Sequence, residues 1–204
     1  PGSDYPFVEG FWYLLLTGDV PTMEQTLEVV EDWKKRSEIP QYVLDVLHAL
    51  PADSHPMAMF SSGILAMQRD SVFASNYAAG KFNKMTCWED MYEDCNNMMA
   101  KLGPLGAYIY NMKYRNNEQI AADPNLDMGG NFAHMIGQVD EYKDVSRMYF
   151  ILHSDHESGN VSAHTTHLVA SALSDAYYAY SAGLNGLAGP LHGLANENVL
   201  RWTQ

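Results

Sequence analysis

Residues Thr86–Arg115 read TCWEDMYEDCNNMMAKLGPLGAYIYNMKYR. The apolar positions fall on several faces of a helix rather than on one stripe. That suits a helix buried inside a fold or held at a subunit interface. Gly103-Pro104 is expected to bend it, because proline removes one backbone donor and crowds the preceding turn. Helical spacing continues on either side. Phe7, Phe11, Leu14 and Leu15 recur at that spacing, with Gly18 as the stop. Pro21-Thr22 opens a second helix carrying Leu27, Val30 and Trp33. Pro40 opens a third with Val43, Val46, Leu47 and Leu50 on one face, and Pro51 ends it. His55-Pro56 opens another with Met57, Phe60, Ile64 and Met67.

Asn116 to Gly130 is polar, contains Pro124 and Gly129-Gly130, and reads as a loop. Helices are expected over about Asn131–Ile136 and Asp140–His153. Ser162 or Asn160 is placed to cap the next, from Ala163 to about Ala182. There is no strand-like alternation, fixed-period repeat or low-complexity tract. The class is all-α. The 12 methionines fall at helical spacing and read as core filler rather than a metal or ligand device.

Composition narrows the function. With 47% apolar residues in 204, the chain can bury a substantial core and is not disordered. No run of 18 apolar residues occurs, so no membrane span is expected. The first residues, Pro1 to Tyr5, resemble neither a signal nor a transit peptide and lack a starting methionine, so the natural chain is expected to begin earlier. A net charge of −13 argues against nucleic acid as a partner, which needs a basic face. Anionic metabolites stay open, since a few Arg or His residues can set a local field. Cys87 and Cys95 on one helix would be separated by a rise of roughly 12 Å, too far for a disulfide. Free thiols fit a reducing compartment.

The chemistry concentrates near the end. Asn185–Asn196 reads NGLAGPLHGLAN. Its glycines permit unusual dihedrals and close approach of a ligand. Pro190 breaks the segment ahead of His192, and a new helix from Leu194 would put His192 near a positive helix end, favouring a neutral ring. A plain glycine-rich turn bearing an exposed histidine is the alternative. Upstream, His153–Leu168 reads HSDHESGNVSAHTTHL. His153/His156 and His164/His167 are spaced i, i+3, as a metal pair could be. Neither H-E-x-x-H nor H-x-x-E-H is present and no cysteine is near, so no metal is expected.

These two segments, in this order and separation, resemble the citrate synthase family, specifically its eukaryotic mitochondrial type. The resemblance extends through Phe11-Trp12-Tyr13-Leu14-Leu15, Thr17-Gly18, His55-Pro56-Met57, Trp88 and Tyr92-Glu93-Asp94-Cys95, and so over essentially the whole chain. It implies a multi-helical fold and condensation of acetyl-CoA with oxaloacetate and water to give citrate and CoA, with no cofactor and no metal. It implies a homodimer, with Thr86–Arg115 a candidate for part of the interface, and a mitochondrial matrix location.

The resemblance also assigns roles. His192 is catalytic, donating to the thioester carbonyl while a carboxylate removes a methyl proton. A neutral imidazole can do this without a buried cation. His156 binds oxaloacetate. Ser162 orients His192, Asn160 shapes the turn beside the pocket, and Leu191 and Gly193 contribute backbone near the acyl-CoA. His153, His164 and His167 read as hydrogen-bonded histidines of packed helices, and Asp155 and Glu157 as neighbours of His156. Ser158 departs from the glycine frequent at its position.

The family's second catalytic histidine, its catalytic aspartate and its substrate-clamping arginines have no counterpart in residues 1–204. Those residues are therefore expected to form most of the large helical domain, ending where the small domain starts, and to be inactive alone. Competing readings are a structural, filament-forming role on the same fold, and 2-methylcitrate synthesis from propionyl-CoA.

Overall fold

Eleven α-helices and one 3-10 turn make up the regular structure of the described residues, 5–154 and 159–204, in the computed structural model. No strand occurs among them, so the all-α expectation holds. His156, Asp155, Glu157 and Ser158 lie outside the described residues. None of the described helices is long and apolar enough to cross a membrane.

The contacts divide the chain into two units. The first takes in the described residues up to Ile39 and those from Met99 to Ser154. It contains α1 (Val8–Thr17), α2 (Met23–Arg36), the second part of α6 (Cys87–Tyr114), α7 (Met128–Met135) and α8 (Tyr142–Leu152). Gly18 ends α1 at φ +78°, a conformation only glycine adopts cheaply. Thr22 and Gln25 start α2 with a reciprocal capping box. Thr26 on α2 packs against Gly10, where an added methyl carbon would stand 3.0 Å from Thr26 Oγ1. Trp12 and Trp33 meet at 5.9 Å, and Phe132 stands edge-on to Phe150 at 5.2 Å.

Two expectations fail in this unit. The buried face of α1 is Val8, Glu9 and Gly10, while Leu15 is exposed. A charged residue took the inner position because its carboxylate caps another helix. Glu9 Oε1 accepts from the Met128 amide at 2.7 Å. Gly129-Gly130 is also no loop, and lies inside α7. A methyl at Gly129 would come 2.9 Å from Arg147 Cγ, and one at Gly130 2.9 Å from Arg147 Nη2. These glycines serve close packing rather than a turn. They admit the Arg147 guanidinium to Asp127, which caps α7 and receives Arg147 Nε at 3.0–3.1 Å.

The second unit takes in Pro40–Met98 and the described residues from Gly159 to Gln204. It holds α3 (Gln41–Ala49), α4 (Pro56–Ala66), the 3-10 turn Met67–Asp70, α5 (Val72–Ala78), the first part of α6, α9 (Val161–Ala170), α10 (Ala176–Leu187) and α11 (Ala195–Thr203). Its core includes Val43, Leu47, Met59, Ile64, Met67, Phe73 and Leu184. Buried Asp94 on α6 accepts from Ser71 Oγ at 2.6 Å and Val72 N at 2.7 Å, fixing the start of α5. Cys87 and Cys95 are free thiols. Burial pushes the Cys95 thiol up to about 11, which makes it unreactive at neutral pH.

The helix expected over Ala163–Ala182 is two helices. Leu173 takes φ +61° between them, and Asp175 caps α10 by accepting from the Tyr177 and Tyr178 amides. An aspartate read as helix interior is thus the start signal of a new helix. Helix α6 runs through Gly103 and Pro104 as one element.

Candidate active site

Three sequence-predicted residues, Asn160, Ser162 and His192, come together within the second unit. Asn160 caps α9, its Oδ1 accepting from the Ala163 amide at 3.0 Å. The cap is therefore Asn160 and not Ser162, which sits inside the first turn. Freed from capping, Ser162 Oγ donates to Asn160 Oδ1 at 2.7 Å and lies 3.0 Å from His192 Nε2.

The backbone of α10 makes this meeting possible. At Gly183 a methyl would overlap Thr166 Oγ1 and approach Ser162 O to 3.0 Å, while at Gly186 it would come 2.6 Å from Val161 Cγ1. Without side chains there, α9 lies close against α10. Helix α10 is tied to α4 in turn. Ser61 and Ser181 hydroxyls are 2.8 Å apart, and Ser61 Oγ donates to Asn185 Oδ1 at 3.0 Å. Two turns then carry the chain from α10 to His192. Its amide donates to Gly189 O and its carbonyl accepts from Ala195 N, both at 3.0 Å. A methyl at Gly193 would stand 2.7 Å from Leu187 O, so this glycine lets the turn fold back on the end of α10.

The hydrogen bonds set a proton choice. Ser162 has one hydroxyl proton and faces two acceptors. Donated to Asn160, it leaves Ser162 accepting, and Nε2 of His192 must carry the ring proton. Turned to Nε2, it leaves the neutral ring with its proton on Nδ1, free for a ligand oxygen. A rotation about one C–O bond selects between an imidazole that accepts at Nδ1 and one that donates there.

Of the other predicted residues, Leu191 and Gly193 flank His192 in the same turn, and His156 lies outside the described residues. Leu191 beside His192 is fully exposed. His164 and His167 are exposed on α9, and His153 is exposed at the end of α8, where it stacks on Tyr149 at 4.1 Å and bonds Tyr149 O. The expectation of hydrogen-bonded histidines on packed helices holds for the His153 hydrogen bond and for the packing of α9 on α10, but all three rings are exposed. Helix α9 buries no residue in this unit, so its i, i+3 histidines face outward. Among the described residues no cluster of three His, Cys, Asp or Glu side chains could hold a metal. Thr166 and Gly183 are parts of the site that sequence reasoning missed, and Gly186, singled out for unusual dihedrals, serves close helix packing instead. Small residues at helical spacing on Gly183 and Gly186 were the available signal.

The chain is similar to known proteins over nearly its whole length. The family model described as "Citrate synthase, C-terminal domain" matches residues 3–204. Citrate synthase 4, mitochondrial, of Arabidopsis thaliana is 50% identical over 198 residues, which are 97% of this chain and 42% of that protein. The mitochondrial citrate synthase of Daucus carota is 48% identical over 99% of the chain and 43% of its own length. The chain thus spans less than half the length of these relatives. Among solved structures, citrate synthase from Pyrobaculum aerophilum superposes with a TM-score of 0.84 at 29% identity, over 95% of this chain and 48% of that one. The Thermoplasma acidophilum enzyme, in a ternary complex with carboxymethyl coenzyme A and oxaloacetate, gives 0.75 at 26% identity, over 91% and 46%.

Proposed function

Because the chain belongs to the citrate synthase family, we propose that it carries part of an active site condensing acetyl-CoA with oxaloacetate and water to citrate and CoA. The observation that carries this reading is the contact between Ser162 Oγ and His192 Nε2, at 3.0 Å across 30 residues of sequence. A structural protein has no need of a hydroxyl within hydrogen-bond distance of this imidazole.

In this reading a carboxylate removes a methyl proton from acetyl-CoA. Charge develops on the thioester oxygen, and His192 donates to it from Nδ1 while Ser162 donates to Nε2. The enol carbon attacks the ketone carbon of oxaloacetate. Water then cleaves the thioester and releases CoA and citrate. His156 binds oxaloacetate, and backbone at Leu191 and Gly193 borders the acyl-CoA.

The mitochondrial relatives support a matrix location. A homodimer through α6 is supported by exposed Trp88 and Tyr92, one turn apart near its start. The test is citrate formation by the natural protein and its His192→Ala form. Loss of turnover by about 100-fold or more, the scale of a removed oxyanion donor, with unchanged melting, supports the reading. Undiminished turnover overturns it.

A further inference from the structure

The first unit contains a cavity of about 240 Å³ that the proposed chemistry does not use. Its apolar walls are Val30, Trp33, Pro104, Met128 and Met135, and Glu9 lies among them. Glu9 is 1% exposed. One carboxylate oxygen is occupied by the Met128 amide, while Oε2 is buried with no hydrogen-bond partner. Such an orphan acceptor inside an apolar pocket costs free energy until a donor reaches it.

The surrounding charges say which donor. Asp123 also lines the cavity, and Asp127 acts on Glu9 electrostatically. Lys34 is on the wall, but its ammonium is held by Glu31 at 2.8 Å, a residue that does not line the cavity. Arg147 is engaged by Asp127 and Asp144. The local balance is acidic, the walls are apolar, and one buried carboxylate oxygen lacks a partner. We propose that this cavity binds an organic cation, an ammonium or guanidinium carried on a short apolar stem, with its N–H groups on Glu9 Oε2 and its stem against Trp33, Pro104 and Met135.

A free small molecule and an arginine or lysine side chain of a polypeptide offer the same chemistry. The test titrates the protein with n-butylguanidinium, with uncharged n-butylurea of nearly the same shape, and with Nα-acetyl-arginine amide. The Met128 amide signal is the readout, since it shares the Glu9 carboxylate. The expected result is a saturable shift with butylguanidinium and binding of butylurea weaker by about 10–100-fold, the range for one charge-assisted hydrogen bond. Acetyl-arginine amide binding more than about tenfold tighter than butylguanidinium, a gain of about 1.4 kcal/mol, assigns the natural occupant to a polypeptide. Equal or weaker binding assigns it to a small cation.

Glu9→Gln keeps the acceptor for Met128 and should erase the preference over butylurea. Ala100→Met fills the cavity from α6 without touching Glu9, and should abolish binding of all three probes. Equal affinity of butylguanidinium and butylurea, or no response of Met128 to any probe, overturns the proposal.

Discussion

Ser162 Oγ reaches His192 Nε2 at 3.0 Å and Asn160 Oδ1 at 2.7 Å, so one hydroxyl joins a helix cap to an imidazole. The cap holds Asn160 Oδ1 as an acceptor, because the Ala163 amide already points at it. We expect the hydroxyl proton to go to Asn160 in the free protein, which puts the His192 ring proton on Nε2. Ring ¹⁵N shifts of His192 should show the proton on Nε2. Ser162→Ala should release that preference and lower citrate turnover by roughly 10–100-fold, the loss of one hydrogen bond to a group that becomes charged. A variant with wild-type turnover and ring shifts would remove Ser162 from the proposed mechanism.

Asn160 should separate into two effects. Asn160→Ala removes the cap of α9 at about 1 kcal/mol and also frees the Ser162 proton. Asn160→Asp restores the cap acceptor and should restore melting. If turnover follows melting alone across both variants, Asn160 acts only on the helix.

Gly183 tests whether close helix packing builds the site. A methyl there meets a side-chain atom, Thr166 Oγ1, and a backbone atom, Ser162 O at 3.0 Å. Gly183→Ala should destabilise by about 1–3 kcal/mol through overpacking and reduce turnover by displacing Ser162. Adding Thr166→Ala relieves the side-chain clash but not the backbone one. Melting should recover further than turnover in the double variant.

Much of this was legible in the chain. Pro40, His55-Pro56, Gly18 and Pro21-Thr22 mark helix ends by backbone restriction or local hydrogen bonding, which few residues suffice to specify. Val30, Trp33, Val43, Leu47 and Ile64 fall inside as their spacing requires. The failures have two causes. Gly129, Gly130 and Glu9 are conditioned by Arg147 and Met128, which for Glu9 is 119 residues away in sequence, so local rules misassign them. Asp175 was lost because an aspartate in an apolar run carries no label separating cap from interior. At the candidate site His192, Ser162 and Asn160 were readable through motif wording. The partition of Asn160 as cap and Ser162 as bridge needed coordinates.

Glu9 gives the first unit a pH dependence. Burial, reinforced by Asp127 and opposed by the Met128 amide and Lys34, raises its carboxyl from 4.5 to about 7. The folded state therefore holds this proton more tightly than the unfolded one. The associated stability is full below pH 4.5 and is lost as pH rises through 7. Each tenfold difference in proton affinity between the two states is worth about 1.4 kcal/mol, so the whole change is about 3 kcal/mol. Glu9→Gln cannot ionise and should flatten that part of the stability profile. Denaturant melts at about pH 4 and pH 8, either side of this window, decide it, with parallel declines in both proteins ruling Glu9 out. Asp123 and Lys34 also border the site, but they are present in both proteins and cancel in the comparison.

The Asp127–Arg147 pair should be the most sensitive point of the first unit. Asp127 is buried, caps α7 through the Gly130 amide, and takes Arg147 through Nε and Nη2. Arg147→Met would strand a buried carboxylate and cost about 3–5 kcal/mol. Arg147→Lys should not rescue it, since an ammonium cannot reproduce the two-point contact. Asp127→Asn keeps the cap acceptor without the charge, so combining it with Arg147→Met should recover part of the loss. Urea melts of the two singles and the double give the coupling. A coupling near zero would mean the pair contributes only as packing against Gly129 and Gly130, and the Arg147→Met loss would then reflect the lost volume of the stem rather than an unpaired charge.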